Sequence, residues 1–197
     1  VHPSATTLLA LHLVLAQRDD LLVLETRRRL HQQVEQFPGL HLSELARQCG
    51  LETNHAKYHL TALETHGLVS SKQDGGLQRF YPRREGPTGP QEAIGADDKA
   101  VLAVLRQPVP LHAVLVLLDR GEVRHADLDA AIPVSRTTLH YHMAKLERAG
   151  VVESWRDGRE RAYRLLEGDR LMALLLRYRP PDKLVAGFLE AWEALEL

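Results

Sequence analysis

Tyr58-His59-Leu60-x-x-Leu63-Glu64-x-x-Gly67-Leu68-Val69 recurs in this chain as Tyr141-His142-Met143-x-x-Leu146-Glu147-x-x-Gly150-Val151-Val152. Each copy reads as a helix that stops at a glycine and gives way to a strand. The copies lie 83 residues apart, and the same offset pairs Asp74-Gly75 with Asp157-Gly158 and Phe80 with Tyr163. A period this long belongs to a duplicated small domain, not to a solenoid. A chain of 197 residues has room for two such domains, each with its own core.

Working outward from the first copy, Leu24, Leu30, Val34 and Phe37 carry helical spacing that Pro38-Gly39 ends. A second helix follows over 42–49, closed by Gly50, and a third over 53–66, with Ala56, Leu60 and Leu63 forming one apolar stripe. Residues 68–72 and 77–81 around Asp74-Gly75-Gly76 read as a hairpin, since Asp-Gly supplies the positive φ of a tight turn. The second copy repeats the plan with helices over 111–118 and 126–131, and a third capped by Ser135 that runs to Ala149. Its hairpin is 151–156 and 159–165. The organisation expected is therefore an N-terminal helix in 1–23, a first domain over 24–84 and a Gly/Pro linker over 85–96. A second domain then covers 97–169, with a leading helix capped by Asp97 or Asp98, and 170–197 hold two helices split by Pro180-Pro181. The fold class is mainly α with small β-hairpins, α+β overall.

Composition sets milder bounds. The apolar fraction of 44% is that of a globular protein, and the net charge is −1. A single cysteine, Cys49, excludes an internal disulfide and a thiolate zinc cluster, which fits a reducing, cytoplasmic setting. The apolar run from Thr7 to Ala16 is broken by Arg18-Asp19-Asp20, short of the roughly 20 residues that span a bilayer. It also lacks a basic n-region and a small-x-small cleavage site, so neither a signal peptide nor membrane insertion is expected.

Two helices joined by a tight turn, the second followed by glycine, two apolar residues and a hairpin tipped by Asp-Gly, resemble a winged helix-turn-helix domain. The chain resembles the prokaryotic tandem winged-helix regulators of the broad ArsR/MarR-like group. The likeness is carried by Glu25-Thr26-Arg27-Arg28-Arg29-Leu30, Pro38-Gly39-Leu40-His41, Glu44-Leu45-Ala46 and the repeated stretch. It covers about 24–84 well and 108–166 less well, because Ala131-Ile132-Pro133-Val134 replaces the usual Gly-apolar turn. The resemblance implies transcriptional regulation by binding double-stranded DNA, third helices in the major groove and wings on the backbone or minor groove.

That implication can be checked against what groove reading requires: short polar or cationic side chains on the first turns of a helix whose opposite stripe is buried. With Leu139, Met143 and Leu146 inward, Arg136, Thr137, His140 and Tyr141 are left outward, with Thr138 beside them. The matching set in the first copy is Thr53, Asn54, Lys57 and Tyr58, with His55 beside them. Arginine suits guanine, asparagine suits adenine, and hydroxyls suit phosphate. The second wing adds Arg156, Arg159 and Arg161, with Arg164 and Trp155 close by, and the first adds Lys72 and Arg79. Basic charge concentrates there, with seven Lys/Arg against four Asp/Glu between 134 and 164, and five against three between 51 and 84.

The eleven histidines do not show metal-site spacing: His140 and His142 diverge on a helix, and His41, His55 and His66 lack carboxylate partners at convincing spacing. His59 and His142, at the edge of the buried stripe, read as packed structural histidines. No metal or cofactor is expected. Without a phosphate loop, nucleophile elbow or HExxH motif, no enzymatic activity is expected either. The helix of 182–195 presents Leu184, Val185, Phe188, Leu189, Trp192 and Leu195 on one face, which with the N-terminal helix is the candidate contact for a homodimer. The competing reading is a tandem winged-helix scaffold for protein–protein interaction, favoured by the near-neutral net charge and the thinly charged first wing.

Overall fold

A computed structural model describes residues 24–193, with side chains described as far as Gly187. The chain divides into two compact units at Ile94/Gly95. The expected helix in 1–23 and the side chains of Phe188, Leu189, Trp192 and Leu195 lie outside the described residues.

In the first unit, α1 (Glu25–Gln36), α2 (Leu42–Gln48) and α3 (Thr53–Thr65) precede β1 (Val69–Asp74), β2 (Leu77–Gly86) and β3 (Gly89–Glu92). Helix α1 buries Leu30 and Val34, whereas Leu24 lies before the helix and is half exposed. His41 caps α2, its Nδ1 accepting from the Glu44 amide. Helix α3 buries Ala56, Leu60 and Leu63 completely against a core that includes Val34, Leu45 and Phe80. It ends in paired 6→1 and 5→2 type bonds, Leu68 N–H to Leu63 C=O and Gly67 N–H to Glu64 C=O, and Gly67 adopts the left-handed φ of 68°.

Strands β1 and β2 pair antiparallel from Val69↔Pro82 to Asp74↔Leu77, with Gly75 and Gly76 both at positive φ in the turn. The segment expected as a linker is not one. Strand β2 runs on to Gly86, and β3 folds back along it from Arg83↔Glu92 to Gly86↔Gly89. Pro90 sits on this outer strand, where its missing N–H costs no ladder bond. Its ring also closes over Gly67, leaving a Cβ there only 2.6 Å from the Pro90 Cγ.

The second unit contains α4 (Ala96–Leu105), α5 (Pro108–Arg120), β4 (Val123–Arg124), α6 (His125–Ala131), α7 (Arg136–Arg148), β5 (Val152–Asp157), β6 (Glu160–Leu165), α8 (Gly168–Arg177) and α9 (Asp182–Glu193). Its sheet has the order β4-β6-β5, all antiparallel. Helix α5 starts three residues before the expected Leu111, because proline is accommodated in a first turn. Gly95, not Asp97 or Asp98, caps α4; Asp98 is instead engaged by Arg170 at 2.7 Å. The core collects Leu111, Val114 and Leu117 of α5, Leu139, Met143 and Leu146 of α7, and Tyr163 of β6.

The 83-residue offset holds at element level. Helices α2 and α6, helices α3 and α7, and strands β1 and β5 begin and end at equivalent residues, and the bridge His41↔Arg79 matches the pair Arg124↔Ala162. Helix α2 is joined to α3 by residues 49–52 and α6 to α7 by 132–135, so Ile132-Pro133 spans the same gap without the positive φ of Gly50. Among the described residues no single helix is long and apolar enough to cross a membrane. Helices α4 and α5 together approach that composition, but they meet at 100° and bury most of their apolar residues in the core of this unit.

Candidate nucleic-acid interface

The packing of α3 and α7 determines which side chains remain outside. With Ala56, Leu60 and Leu63 fully buried, Thr53, Asn54, His55, Lys57 and Tyr58 are exposed, the Tyr58 ring to 64%. With Leu139, Met143 and Leu146 buried, Arg136, Thr137, His140 and Tyr141 are exposed, Tyr141 to 56%. The two tyrosine rings occupy equivalent positions, 83 residues apart. Thr138 differs from its neighbours: it is half-buried, its amide donates to Ser135 Oγ at 3.1 Å, and its hydroxyl shares a 2.7 Å bond with the same atom. It is tied into the N-cap. Arg136 is anchored from one side by Asp129 of α6, at 3.3 Å, while remaining largely in solvent.

Each wing is fastened to its helix by the same device. The Ser71 amide and hydroxyl donate to Glu64 Oε1 at 2.9 and 2.8 Å, and Gln78 Nε2 donates to Ser71 Oγ. In the second unit Ser154 donates to Glu147, Arg161 Nε donates to Ser154 Oγ at 2.8 Å, and the Arg161 guanidinium also pairs with Glu147 at 3.2 Å. Arg161, still 46% exposed, thereby joins α7 to the wing. Lys72, Arg156 and Arg159 are exposed and make no ion pair among the described residues. Arg164 bonds to Glu153 and Glu122, and its guanidinium lies 5.4 Å from the Trp155 ring.

Arg79 is buried, unlike the other wing cations. The expectation of a DNA contact fails because its side chain is 1% exposed. Its Nε donates to Asp74 Oδ2 and its Nη1 to the Gly39 carbonyl, both at 2.8 Å. It is a structural ion under the wing.

The helix-turn-helix geometry of the first unit coincides with a sequence match. Residues 24–91 match the family described as HTH_HVO_0163_N, N-terminal HTH domain. Residues 24–91 form a winged helix-turn-helix domain. Over 153 residues, 78% of its length, the chain is 25% identical to a protein of Methanocaldococcus jannaschii described as an uncharacterized HTH-type transcriptional regulator, and it spans 36% of that relative's length. Similar solved structures include reduced HlyU from Vibrio cholerae, at 26% identity over 43% of this chain and 90% of that one, TM-score 0.38. An ArsR-like transcriptional regulator from Rhodococcus sp. matches at 27% identity over 51% and 91%, TM-score 0.35.

The winged-helix domain also holds a pair that the spacing alone could have revealed. His55 and His59 stand at i and i+4 on α3, their Nε2 atoms 2.9 Å apart, so one ring donates its N–H to the other. His59, buried as expected of a structural histidine, has its pKa lowered by burial first, then by His55 and Arg27. In the second unit His142 is held low by burial and by Lys145. His125, also lowered mainly by burial, bonds Tyr163 Oη at 3.2 Å and packs its ring 6.4 Å from His140. Cys49 is buried, with its thiol pKa raised by burial. Arg29, distant in sequence, donates to its carbonyl at 3.2 Å.

Proposed function

We propose that this protein is a transcriptional regulator that binds double-stranded DNA sequence-specifically, with α3 and α7 as its two recognition helices and the two hairpins as wings. The observation that carries the reading is the shared exposure on α3 and α7 of a polar, cationic and tyrosine-bearing face opposite a fully buried stripe. Asn54, Lys57, Arg136, Thr137 and His140 face bases, while Thr53, His55, Tyr58, Thr138 and Tyr141 line the approach to phosphate. Lys72, Arg156 and Arg159 hold the flanking backbone from the wings. The copies share scaffold residues and differ at Asn54/Thr137 and Lys57/His140, so the two heads prefer different bases.

The reading includes a homodimer through the terminal helices. Its candidate contacts are the N-terminal helix and the apolar face of the helix over 182–195.

A fluorescence-polarisation titration on genomic and random duplex DNA across a salt series tests the proposal. If Lys72, Arg156 and Arg159 each neutralise one phosphate, the logarithmic salt slope is about −2.7, and a fourfold rise in salt weakens binding roughly 40-fold. Absence of salt-dependent binding at micromolar protein rules the reading out.

A further inference from the structure

At one ladder position the two hairpins differ in a way that opens a cavity. In the first unit Arg79 lies across from Lys72 on β1 and bridges to His41. Its guanidinium fills the space beneath the sheet, held by Asp74 and the Gly39 carbonyl. In the second unit the equivalent residue is Ala162, facing Trp155 on β5 and Arg124 on β4. The residues equivalent to the two acceptors remain: Asp157 stands in the place of Asp74, and Glu122 in that of Gly39. Where Arg79 fills the first unit, the second has a cavity of about 390 Å³ lined by Glu122, Arg124, Asp127, Trp155, Asp157 and Ala162.

We propose that this cavity binds a guanidinium-bearing ligand, seated as the Arg79 guanidinium is seated in the first unit. Of the three lining carboxylates, Asp157 pairs with Arg124 and Glu122 with Arg164, which leaves one negative charge, that of Asp127, to favour a cation. Arg124 does not fill the space. It is 60% exposed and its Nε uses only Asp157 Oδ2, at 2.9 Å. Asp127 has no ion pair among the described residues. Trp155 supplies an aromatic wall that already attracts one guanidinium, that of Arg164. A planar cation with several fixed N–H donors satisfies a carboxylate and a main-chain carbonyl together, as Arg79 does; an ammonium, with a single nitrogen, matches that pair less well. The guanidinium can come from a free alkylguanidine or from an arginine side chain presented by a peptide. The inference does not rest on the DNA reading.

Titration calorimetry and tryptophan fluorescence on the full chain, with butylguanidinium, butylammonium and acetyl-arginine-amide as probes, test it. Butylguanidinium should bind saturably and roughly tenfold more tightly than butylammonium. Binding should be lost in Asp157→Asn, and also in Ala162→Arg, where a tethered guanidinium takes the seat and the melting temperature stays at or above that of the parent. Binding of acetyl-arginine-amide alongside butylguanidinium assigns the site to arginine-bearing peptides as well; butylguanidinium alone assigns it to small guanidines. The proposal is overturned if no guanidinium probe saturates up to tens of millimolar, if butylammonium binds equally well, or if a folded Ala162→Arg protein binds as the parent does. Should Ala162→Arg not fold, unchanged binding in Asp157→Asn overturns it.

Discussion

Replacing Arg79 by methionine keeps the length of the side chain and removes its charge, which separates a structural ion from a DNA contact. The Arg79 side chain is 1% exposed and Asp74 is 33% exposed, so the substitution strands one carboxylate that water can reach in part and one buried carbonyl, Gly39, that it cannot. Breaking a buried ion pair costs about 3–5 kcal/mol, and a buried acceptor left without its donor about 1–3 kcal/mol. Because water partly compensates Asp74 and methionine packs well, a net loss of about 2–4 kcal/mol is expected for Arg79→Met. In a domain of this size that lowers the melting temperature by roughly 10–25 °C. Urea and thermal unfolding followed by circular dichroism measure the loss. Polarisation at a temperature where the variant is folded should return an unchanged salt slope. A variant within about 0.5 kcal/mol of the parent whose slope is shallower by about 0.9 would refute the reasoning, since Arg79 would then be meeting phosphate.

Arg159→Ala should weaken binding to specific and random duplexes by the same factor and reduce the salt slope by about 0.9, whereas Arg136→Ala should lose about 1–3 kcal/mol on the specific site only. Selection of bound genomic fragments supplies the site, and equal losses on both duplexes for Arg136→Ala would remove its base-reading role. Stability should fall as the pH drops from 7.5 through the ordinary imidazole range. His41, His59, His112, His125 and His142 all have pKa values lowered chiefly by burial, so below about 6.5 the unfolded chain takes up protons that the folded chain refuses. A urea midpoint that stayed constant or rose from pH 7.5 to 5.5 would contradict this. Gly67→Ala should destabilise more than Gly150→Ala: both residues have φ of 68°, costing about 1–2 kcal/mol for alanine, but only at Gly67 does the new Cβ meet the Pro90 ring. Equal unfolding midpoints for the two variants would count against the packing of β3 on α3.

By itself the sequence determined the duplication, the extents of α3 and α7 and the two hairpin turns, because these are local: Gly67, Gly150, Ser135 and the Asp-Gly pairs act on the few residues around them. The apolar stripes in turn identified most of the outward face of α3 and α7, Tyr58 and Tyr141 included, and the i, i+4 spacing on α3 held the signal for the His55–His59 pair. What it left open was non-local. An arginine in a hairpin reads as a surface cation until the partner strand and the preceding loop are in place. Only then do Asp74 and Gly39 bury Arg79, and Glu147 and Ser154 claim Arg161. The stretch over 85–92 reads as a Gly/Pro linker because its structure comes from pairing with β2, to which its own composition gives no clue. Tertiary structure alone decided which cations are free to meet a ligand, since the burial and pairing of a charge depend on neighbours brought together from distant parts of the chain.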